Sequence, residues 1–277
     1  MSFDDWPYPK YIAHRGAGRL APENTLAAMR LGISHGYSMF EFDAKLSRDG
    51  VPLLMHDATL DRTTDGHGRV ADHEFALIAR LDAGGWHSPA FAGERVPTLD
   101  STLRYLAGQR ALANVEIKPC AGRDAETGAG VARQAWQAWL ASEGVRAGRS
   151  PMLQPQSQSQ SQPQPQPQPQ SPSLPPPLLS SFSEVALRSA REQAPQLPRA
   201  LLLAEPGSDW EVRCGALDCV ALVVASRSLT ASLIARAHRV GLRVLTYTVN
   251  DAARARQLFG WGLDGLITDA VDRIGPV

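Results

Sequence analysis

The sequence lacks most of the features that mark a specialised class of protein. Its three cysteines, Cys120, Cys214 and Cys219, are odd in number and have no C-x-x-C spacing. That excludes a disulfide framework and gives no thiolate metal site. Buried free thiols are the expectation. There is no excess charge either, since 28 Lys and Arg offset 28 Asp and Glu, and no long basic block occurs. Without such a block there is no electrostatic footprint for nucleic acid or for an anionic membrane surface, and any anionic ligand has to be held locally. Long apolar runs are also missing. Cys219–Ser226 falls far short of the ~20 residues needed to cross a bilayer. The acidic N-terminus, Met1-Ser2-Phe3-Asp4-Asp5-Trp6-Pro7, has no apolar core of a signal peptide. A cytoplasmic protein with no stable membrane association is expected.

What the chain does have is enough apolar material for a substantial core: 277 residues, 43% of them hydrophobic. That length suits one large domain or two small ones. Short apolar runs recur at Tyr11–His14, Met39–Leu46, Val51–His56, Leu112–Lys118, Leu178–Phe182, Arg199–Leu203, Cys219–Val224, Leu242–Val249 and Gly265–Thr268, each too short for a typical helix. Helical patterning lies between most of them. Asn24–His35 follows Pro22, Asp124–Ser142 carries Val131, Ala135 and Ala138 on one face, and Leu229–Arg239 ends before Gly241 as before a C-terminal cap. Strand and helix alternating over this length predict an α/β protein, either a parallel barrel or a doubly wound sheet.

Two segments break the alternation. Asp57–Pro97, rich in Gly, Asp and His, shows only a short helical pattern around Phe75–Leu81 and reads as an insertion. In Gln154–Gln170, Gln alternates with Pro or Ser, and the bias continues to Pro175-Pro176-Pro177. With no apolar side chains to bury, this low-complexity loop, about residues 150–177, is expected to be extended and disordered. A Pro-rich ligand for a partner's aromatic groove is the competing reading.

The chemistry concentrates in two strands. Alternation in Phe40-Glu41-Phe42-Asp43-Ala44-Lys45-Leu46 puts Glu41, Asp43 and Lys45 on one face. In Asn114-Val115-Glu116-Ile117-Lys118, Glu116 and Lys118 share a face. A barrel strand is covered by helices outside, so these charges point inward, where unpaired charge is costly. Oxygen donors at Glu41, Asp43 and Glu116 suit a hard cation such as Mg²⁺ or Ca²⁺. An internal ion-pair cluster with Lys45 and Lys118 is the alternative. His14 and Arg15 follow an apolar run and precede Gly16, at the strand end where a barrel builds its active site. His56 ends a second run. Two histidines beside carboxylates and an arginine supply the acid, the base and the phosphate clamp that phosphodiester cleavage needs.

These motifs together resemble the glycerophosphodiester phosphodiesterase family. The likeness runs through His14-Arg15-Gly16, Ala21-Pro22-Glu23-Asn24-Thr25, Glu41-Phe42-Asp43, Asp49-Gly50-Val51-Pro52, His56-Asp57, Leu60-Asp61-Arg62-Thr63-Thr64 and Glu116-Ile117-Lys118-Pro119. It continues in Asp82-Ala83-Gly84-x-Trp86, Pro97-Thr98-Leu99, Ser181-Phe182, Thr246-Tyr247-Thr248-Val249-Asn250 and Ile267-Thr268-Asp269. Trp6-Pro7-Tyr8-Pro9 and Trp261-Gly262-Leu263-Asp264 resemble the bacterial cytoplasmic subtype. The resemblance implies a TIM (β/α)8 barrel, a single domain over 1–277, with a family-type insertion after the second strand at about 57–97. It implies Glu41, Asp43 and Glu116 as metal ligands, His14 and His56 as acid and base, and Arg15 and Lys118 on the phosphate. Glu23, Asn24 and Tyr247 then line the site. Tyr247 and His87 depart from the family pattern, where Trp and Phe are common.

The implied activity is metal-dependent hydrolysis of small-molecule glycerophosphodiesters to sn-glycerol 3-phosphate and an alcohol, with Mg²⁺ or Ca²⁺ as cofactor. With both ions accepted by oxygen ligands, the sequence leaves the choice open. Formal charges of three carboxylates, a divalent cation, a phosphodiester, Arg15 and Lys118 balance to zero. A sugar-phosphate isomerase on the same fold would not need two histidines with three carboxylate ligands. A non-catalytic phosphate-binding barrel would be expected to have lost some of those five residues. Water attack versus a cyclic phosphate route, the order of the two histidines, the head group, and assembly into a homo-oligomer are left open by the sequence.

Overall fold

A computed structural model describes residues 6–146 and 173–276 of the chain. Eight parallel strands are hydrogen-bonded in a closed ring: β1 (Tyr11–His14), β2 (Met39–Leu46), β4 (Leu112–Ile117), β5 (Leu178–Ser181), β6 (Arg199–Leu203), β7 (Ala221–Ala225), β8 (Arg243–Tyr247) and β9 (Gly265–Thr268). β9 and β2 both pair with β1, which closes the barrel. The doubly wound alternative is thereby excluded.

Helices α1 (Leu26–Ser34), α3 (Leu99–Gly108), α4 (Asp124–Arg146), α5 (Glu184–Gln193), α6 (Trp210–Ala216), α7 (Ala231–Arg239) and α8 (Ala252–Gly260) form the crossovers; the short α2 (Phe75–Ile78) lies in the excursion after β2. Several begin on a side-chain cap. Thr25, Thr98, Ser183, Thr230 and Asp251 each accept a backbone N–H from the first turn, worth about 1 kcal/mol apiece. Gly241, just past α7, takes φ +79°, the left-handed C-terminal position expected of it.

Apolar side chains from seven of the eight barrel strands fill the lower barrel: Ile12, Met39, Leu178, Leu202, Val223, Leu245 and Ile267. Tyr8 joins them from below, and its hydroxyl donates to the Pro176 carbonyl at 2.7 Å. Two larger clusters lie between the strands and the helices. Polar groups such as Glu41, Asp43, Asn114 and Glu116 are buried in the upper barrel, above that apolar floor.

Val51–His56 is not a barrel strand. The chain turns over Ser47-Arg48-Asp49-Gly50, with Gly50 at φ +79°, and returns as β3 (Pro52–Leu54), antiparallel to the end of β2. A connection this short has no room for a helical crossover, so the returning strand has to be antiparallel. Ser47 Oγ fixes the turn, donating to Asp49 Oδ1 at 2.6 Å and accepting from Val51 N at 3.0 Å. The excursion after β2 thus starts at the hairpin, ahead of Asp57. It carries α2 and a small core of its own, Leu53, Met55, Leu60, Val70, Ile78, Ala83 and Val96. Cys120 and Cys214 are buried, and Cys219 is half-buried and also free.

The Gln/Pro tract lies outside the described residues. The chain on either side of it, the end of α4 and Ser173–Pro177, leads into the N-terminal end of β5, the end of the barrel remote from His14 and Lys118. No helix among the described residues is long and apolar enough to cross a membrane.

Candidate active site

The register of the strands builds the site. His14 pairs with Glu41, and Glu41 with Asn114 on the next strand; one layer higher, Asp43 pairs with Glu116 and Glu116 with Ser180. Cα partners in a sheet project to the same face, so these side chains converge inside the barrel mouth. Glu41, Asp43 and Glu116 are buried, and each offers an oxygen within 4.8 Å of the others.

That separation sets an electrostatic demand. Two carboxylates 4.8 Å apart repel by roughly 3 kcal/mol at an effective dielectric near 20. Burial, with added repulsion from Asp43 and Glu116, pushes Glu41 up to about 8 despite the pull of His14 and Arg15. Burial and Asp43 likewise raise Glu116, against Lys118. Of the three, Asp43 is held below its ordinary value, because Arg15 and Lys118 outweigh its burial. A buried all-oxygen cluster that cannot comfortably ionise is the donor set of a hard divalent cation. The three carboxylates can hold a metal ion.

The ion-pair alternative is met only in part. Lys118 Nζ lies 2.6 Å from Glu116 Oε1 and 3.5 Å from Asp43 Oδ1. Lys45, fully buried, instead donates to the carbonyls of His56 and Asp57 at 2.9 and 2.6 Å. It anchors the segment that follows β3 and leaves the carboxylates alone. Glu41 receives the Arg15 backbone N–H at 3.3 Å and has His14 Nε2 at 3.7 Å.

Both histidines stand in Asp–His pairs. His14 Nδ1 is 2.5 Å from Asp269 Oδ1, and Asp269 is itself held by Asn250, whose Nδ2 donates to Oδ2 at 3.0 Å. His56 Nδ1 is 2.7 Å from Asp57 Oδ1. In each case the aspartate takes Nδ1 and leaves Nε2 able to exchange a proton. Burial alone would lower His14, but the Asp269 hydrogen bond and the charges of Glu41 and Asp269 outweigh it and raise its pKa. His56 is lowered, chiefly by burial, against the pull of Asp43 and Asp57.

The loop after β1 requires unusual backbone. Arg15 and Asn24 sit at φ +50° and +59°, and Gly18 at +57°. A Cβ on Gly18 would come within 2.1 Å of the Asp269 carbonyl oxygen, so glycine there lets the two loops touch behind His14. Asn24 donates through Nδ2 to Asp43 Oδ2 at 2.9 Å and accepts the Asp43 N–H at 3.1 Å. Arg15 reaches Glu23 at 2.8 Å and, through Nε, Asp43 at 3.3 Å. Arg62 then bridges Glu23 and Asp57, donating to both. The chain Arg15–Glu23–Arg62–Asp57–His56 thus ties the excursion to the first barrel loop.

Aromatic groups flank this polar centre. Phe182 stands edge-on to Tyr247 at 5.9 Å, with Lys118 Nζ 5.6 Å from its ring centre. On the other side Trp86 and His87 line a cleft of about 340 Å³ with His14, Arg15, Arg19 and Asp269. Every residue expected in the site, His14, Arg15, Glu23, Asn24, Glu41, Asp43, His56, Glu116, Lys118 and Tyr247, thus lies around the barrel mouth. Sequence patterning assigns no role to Asp57, Arg62, Asn250 or Asp269. Asp57 follows His56 directly, and Asp269 comes immediately after the last strand, whereas His14 ends the first; those positions are the signals that point to them.

The model of the glycerophosphoryl diester phosphodiesterase family matches residues 14–141 and 176–273. The chain belongs to this family. The stretch left unmatched between the two parts contains the Gln/Pro tract. A glycerophosphodiester phosphodiesterase of Caldanaerobacter subterraneus subsp. tengcongensis is 28% identical over 262 residues, 93% of each chain. The structure is similar to that of an Oleispira antarctica phosphodiesterase in complex with the product sn-glycerol-3-phosphate, with a TM-score of 0.81, 31% identity, and coverage of 99% of this chain and 98% of that one. An Agrobacterium tumefaciens glycerophosphodiester phosphodiesterase superposes with a TM-score of 0.71 at 28% identity, covering 96% and 98%.

Proposed function

We propose that the chain is a glycerophosphodiester phosphodiesterase acting as a single catalytic domain over residues 1–277. It hydrolyses glycerophosphodiesters such as glycerophosphocholine or glycerophosphoethanolamine to sn-glycerol 3-phosphate and the free alcohol. The observation that carries this reading is the meeting, in one barrel mouth, of three buried carboxylates with two Asp-held histidines. Family membership and the product named for the Oleispira neighbour support it.

Glu41, Asp43 and Glu116 would hold the cation, and their all-oxygen character favours Mg²⁺, with Ca²⁺ also accepted. When bound, that cation polarises a phosphoryl oxygen and offsets the charge that builds on it. Arg15 and Lys118, the cations nearest Asp43, hold the phosphate from either side by charge-assisted hydrogen bonds. His14 and His56 serve as the acid and base, one taking the proton of the attacking hydroxyl and the other giving one to the leaving alcohol. Asp269 and Asp57 orient the two rings and stabilise them when protonated. Glu23, Asn24 and Tyr247 line the site, Asn24 by fixing Asp43 and Glu23 by fixing Arg15.

The test is direct. Full-length protein incubated with glycerophosphocholine and glycerophosphoethanolamine should release the alcohol and glycerol 3-phosphate stoichiometrically. Tight binding of the diester with no alcohol released would favour the non-catalytic phosphate-binding barrel.

A pH-dependent stability follows from Glu41. Its folded-state pKa, pushed up to about 8, lies above its unfolded value, so the metal-free folded state binds the extra proton. Stability is then fully present below the unfolded pKa and is lost as pH rises toward about 8. Metal binding needs the ionised carboxylate and should reverse that loss. The rise in Tm produced by saturating Mg²⁺ is expected to be larger at pH 8.5 than at pH 6, as read by differential scanning calorimetry. An equal rise at both would remove Glu41 from the ligand set.

A further inference from the structure

Beside the carboxylates, on neighbouring strands, lie two buried polar side chains that nothing in the proposed reaction uses. Asn114 and Ser180 are each about 1% exposed. Both polar atoms of the Asn114 amide, and Ser180 Oγ, have no hydrogen-bond partner among the described residues. Leaving such groups unmet costs about 1–3 kcal/mol each, so a β-barrel interior tolerates them only for a reason. They line one small cavity with Glu41, Glu116, His14 and Tyr247, while Leu202 and Ile267 line its apolar side.

The position of the pair is set by the sheet. Asn114 is the Cα partner of Glu41 and stands two residues before Glu116 on the same face of β4; Ser180 is the Cα partner of Glu116 on β5. Two of the three carboxylates are thus neighboured across the strands by one of these groups. The cavity measures about 20 Å³, and one water needs roughly 10–15 Å³ of such space and two to four polar partners.

We propose that Asn114 and Ser180 hold one buried water beside Glu41 and Glu116 and, through it, fix the carboxyl groups of those two residues for the divalent cation. The inference rests on the metal-binding reading of those two residues. Water fits the demand because it donates and accepts. It can accept a hydrogen bond from the Asn114 amide and donate one to a carboxylate, with Ser180 Oγ able to do either. A cation bound directly to Asn114 Oδ1 would leave the Asn114 amide donors unmet. Asn114 and Ser180 are therefore positioning residues, and partners of this kind are worth about 10–100-fold in metal affinity.

The test uses the full-length protein, stripped with EDTA, and follows Mg²⁺ binding by isothermal titration calorimetry. Asn114→Leu and Ser180→Ala are each expected to raise the Mg²⁺ Kd about 10–100-fold, while the variants unfold cooperatively near the wild-type Tm without metal. Ser180→Ala removes a single oxygen and keeps the inference testable should Asn114→Leu fail to fold. A Kd within about twofold of wild type in a folded variant would overturn the proposal. A high-resolution crystal structure with Mg²⁺ should show one water between Asn114, Ser180 and the carboxylates; Asn114 on the metal, or an empty cavity, would overturn it too. Wild-type protein that hydrolyses substrate and binds Mg²⁺, beside variants that bind it equally well, would sink this inference alone. Wild-type protein that binds neither Mg²⁺ nor Ca²⁺ would sink the metal reading itself, and this inference with it.

Discussion

Replacing His14 by alanine is expected to lower kcat for glycerophosphodiester hydrolysis by at least about 10²-fold, and His56→Ala to do the same. Each ring has its Nδ1 taken by an aspartate, so each presents one nitrogen of defined role and neither can substitute for the other. His14 lies 3.7 Å from the Glu41 carboxylate, beside the acidic cluster. His56 is placed by Lys45, which donates to its carbonyl, and by Asp57. KM should move much less than kcat, because Arg15 and Lys118, the residues proposed to hold the phosphate, are left in place. Steady-state kinetics on glycerophosphocholine checks this, and near-normal turnover in either variant would contradict the acid–base assignment. Asp269→Asn should give an intermediate loss, since it leaves the imidazole in place but unsettles which nitrogen carries the proton.

Glu41→Gln is expected to weaken Mg²⁺ binding by more than about 100-fold, beyond the usual worth of a group acting through a ligand. It removes one unit of charge and one strong oxygen donor from a cluster whose members lie within 4.8 Å. The same substitution should stabilise the metal-free protein above pH 8, because the neutral amide abolishes the repulsion from Asp43 and Glu116 that burdens Glu41. Opposite signs on metal affinity and metal-free stability identify a ligand that is electrostatically costly when the cation is away. Calorimetric Mg²⁺ titration and thermal melts measure both. An unchanged Kd, or a lower metal-free Tm at high pH, would contradict the assignment.

Features of this molecule written in local patterns are legible in the sequence. Alternation places Glu41 and Asp43 on one face of β2 and Glu116 on one face of β4, and a helix-covered barrel turns those faces inward. Strand–helix alternation leaves a barrel or a doubly wound sheet, and only the closure of β9 and β2 onto β1 decides between them. Val51–His56 reads like its neighbours because apolar content marks a strand without giving its direction; the Asp49-Gly50 turn carries that information and forces β3 to run backwards. Alternation also points Lys45 inward but does not say what it meets, since its partners are the carbonyls of the following segment.

The pairing of His14 with Asp269 spans 255 positions of sequence. Only the closed barrel brings those two strand ends together, so no spacing rule supplies it. The clamp of Arg62 on Glu23 and Asp57 depends in the same way on how the excursion folds back over the mouth. Asn114 is visible as the start of an inward face, yet its want of a partner is a property of packing. The Gln/Pro tract, singled out by composition, falls outside the described residues. Its flanks lead to the end of the barrel away from the site.

The barrel mouth is proposed to hydrolyse glycerophosphodiesters with a divalent cation held by Glu41, Asp43 and Glu116. Phosphorus NMR on purified protein with glycerophosphocholine tests it in one experiment, run with Mg²⁺, with EDTA, and with EDTA followed by excess Mg²⁺. The diester resonance is expected to give way to that of glycerol 3-phosphate with Mg²⁺, to persist with EDTA, and to resume its decline when Mg²⁺ is restored. A diester signal unchanged in all three samples, or one that disappears equally fast with EDTA, would contradict it.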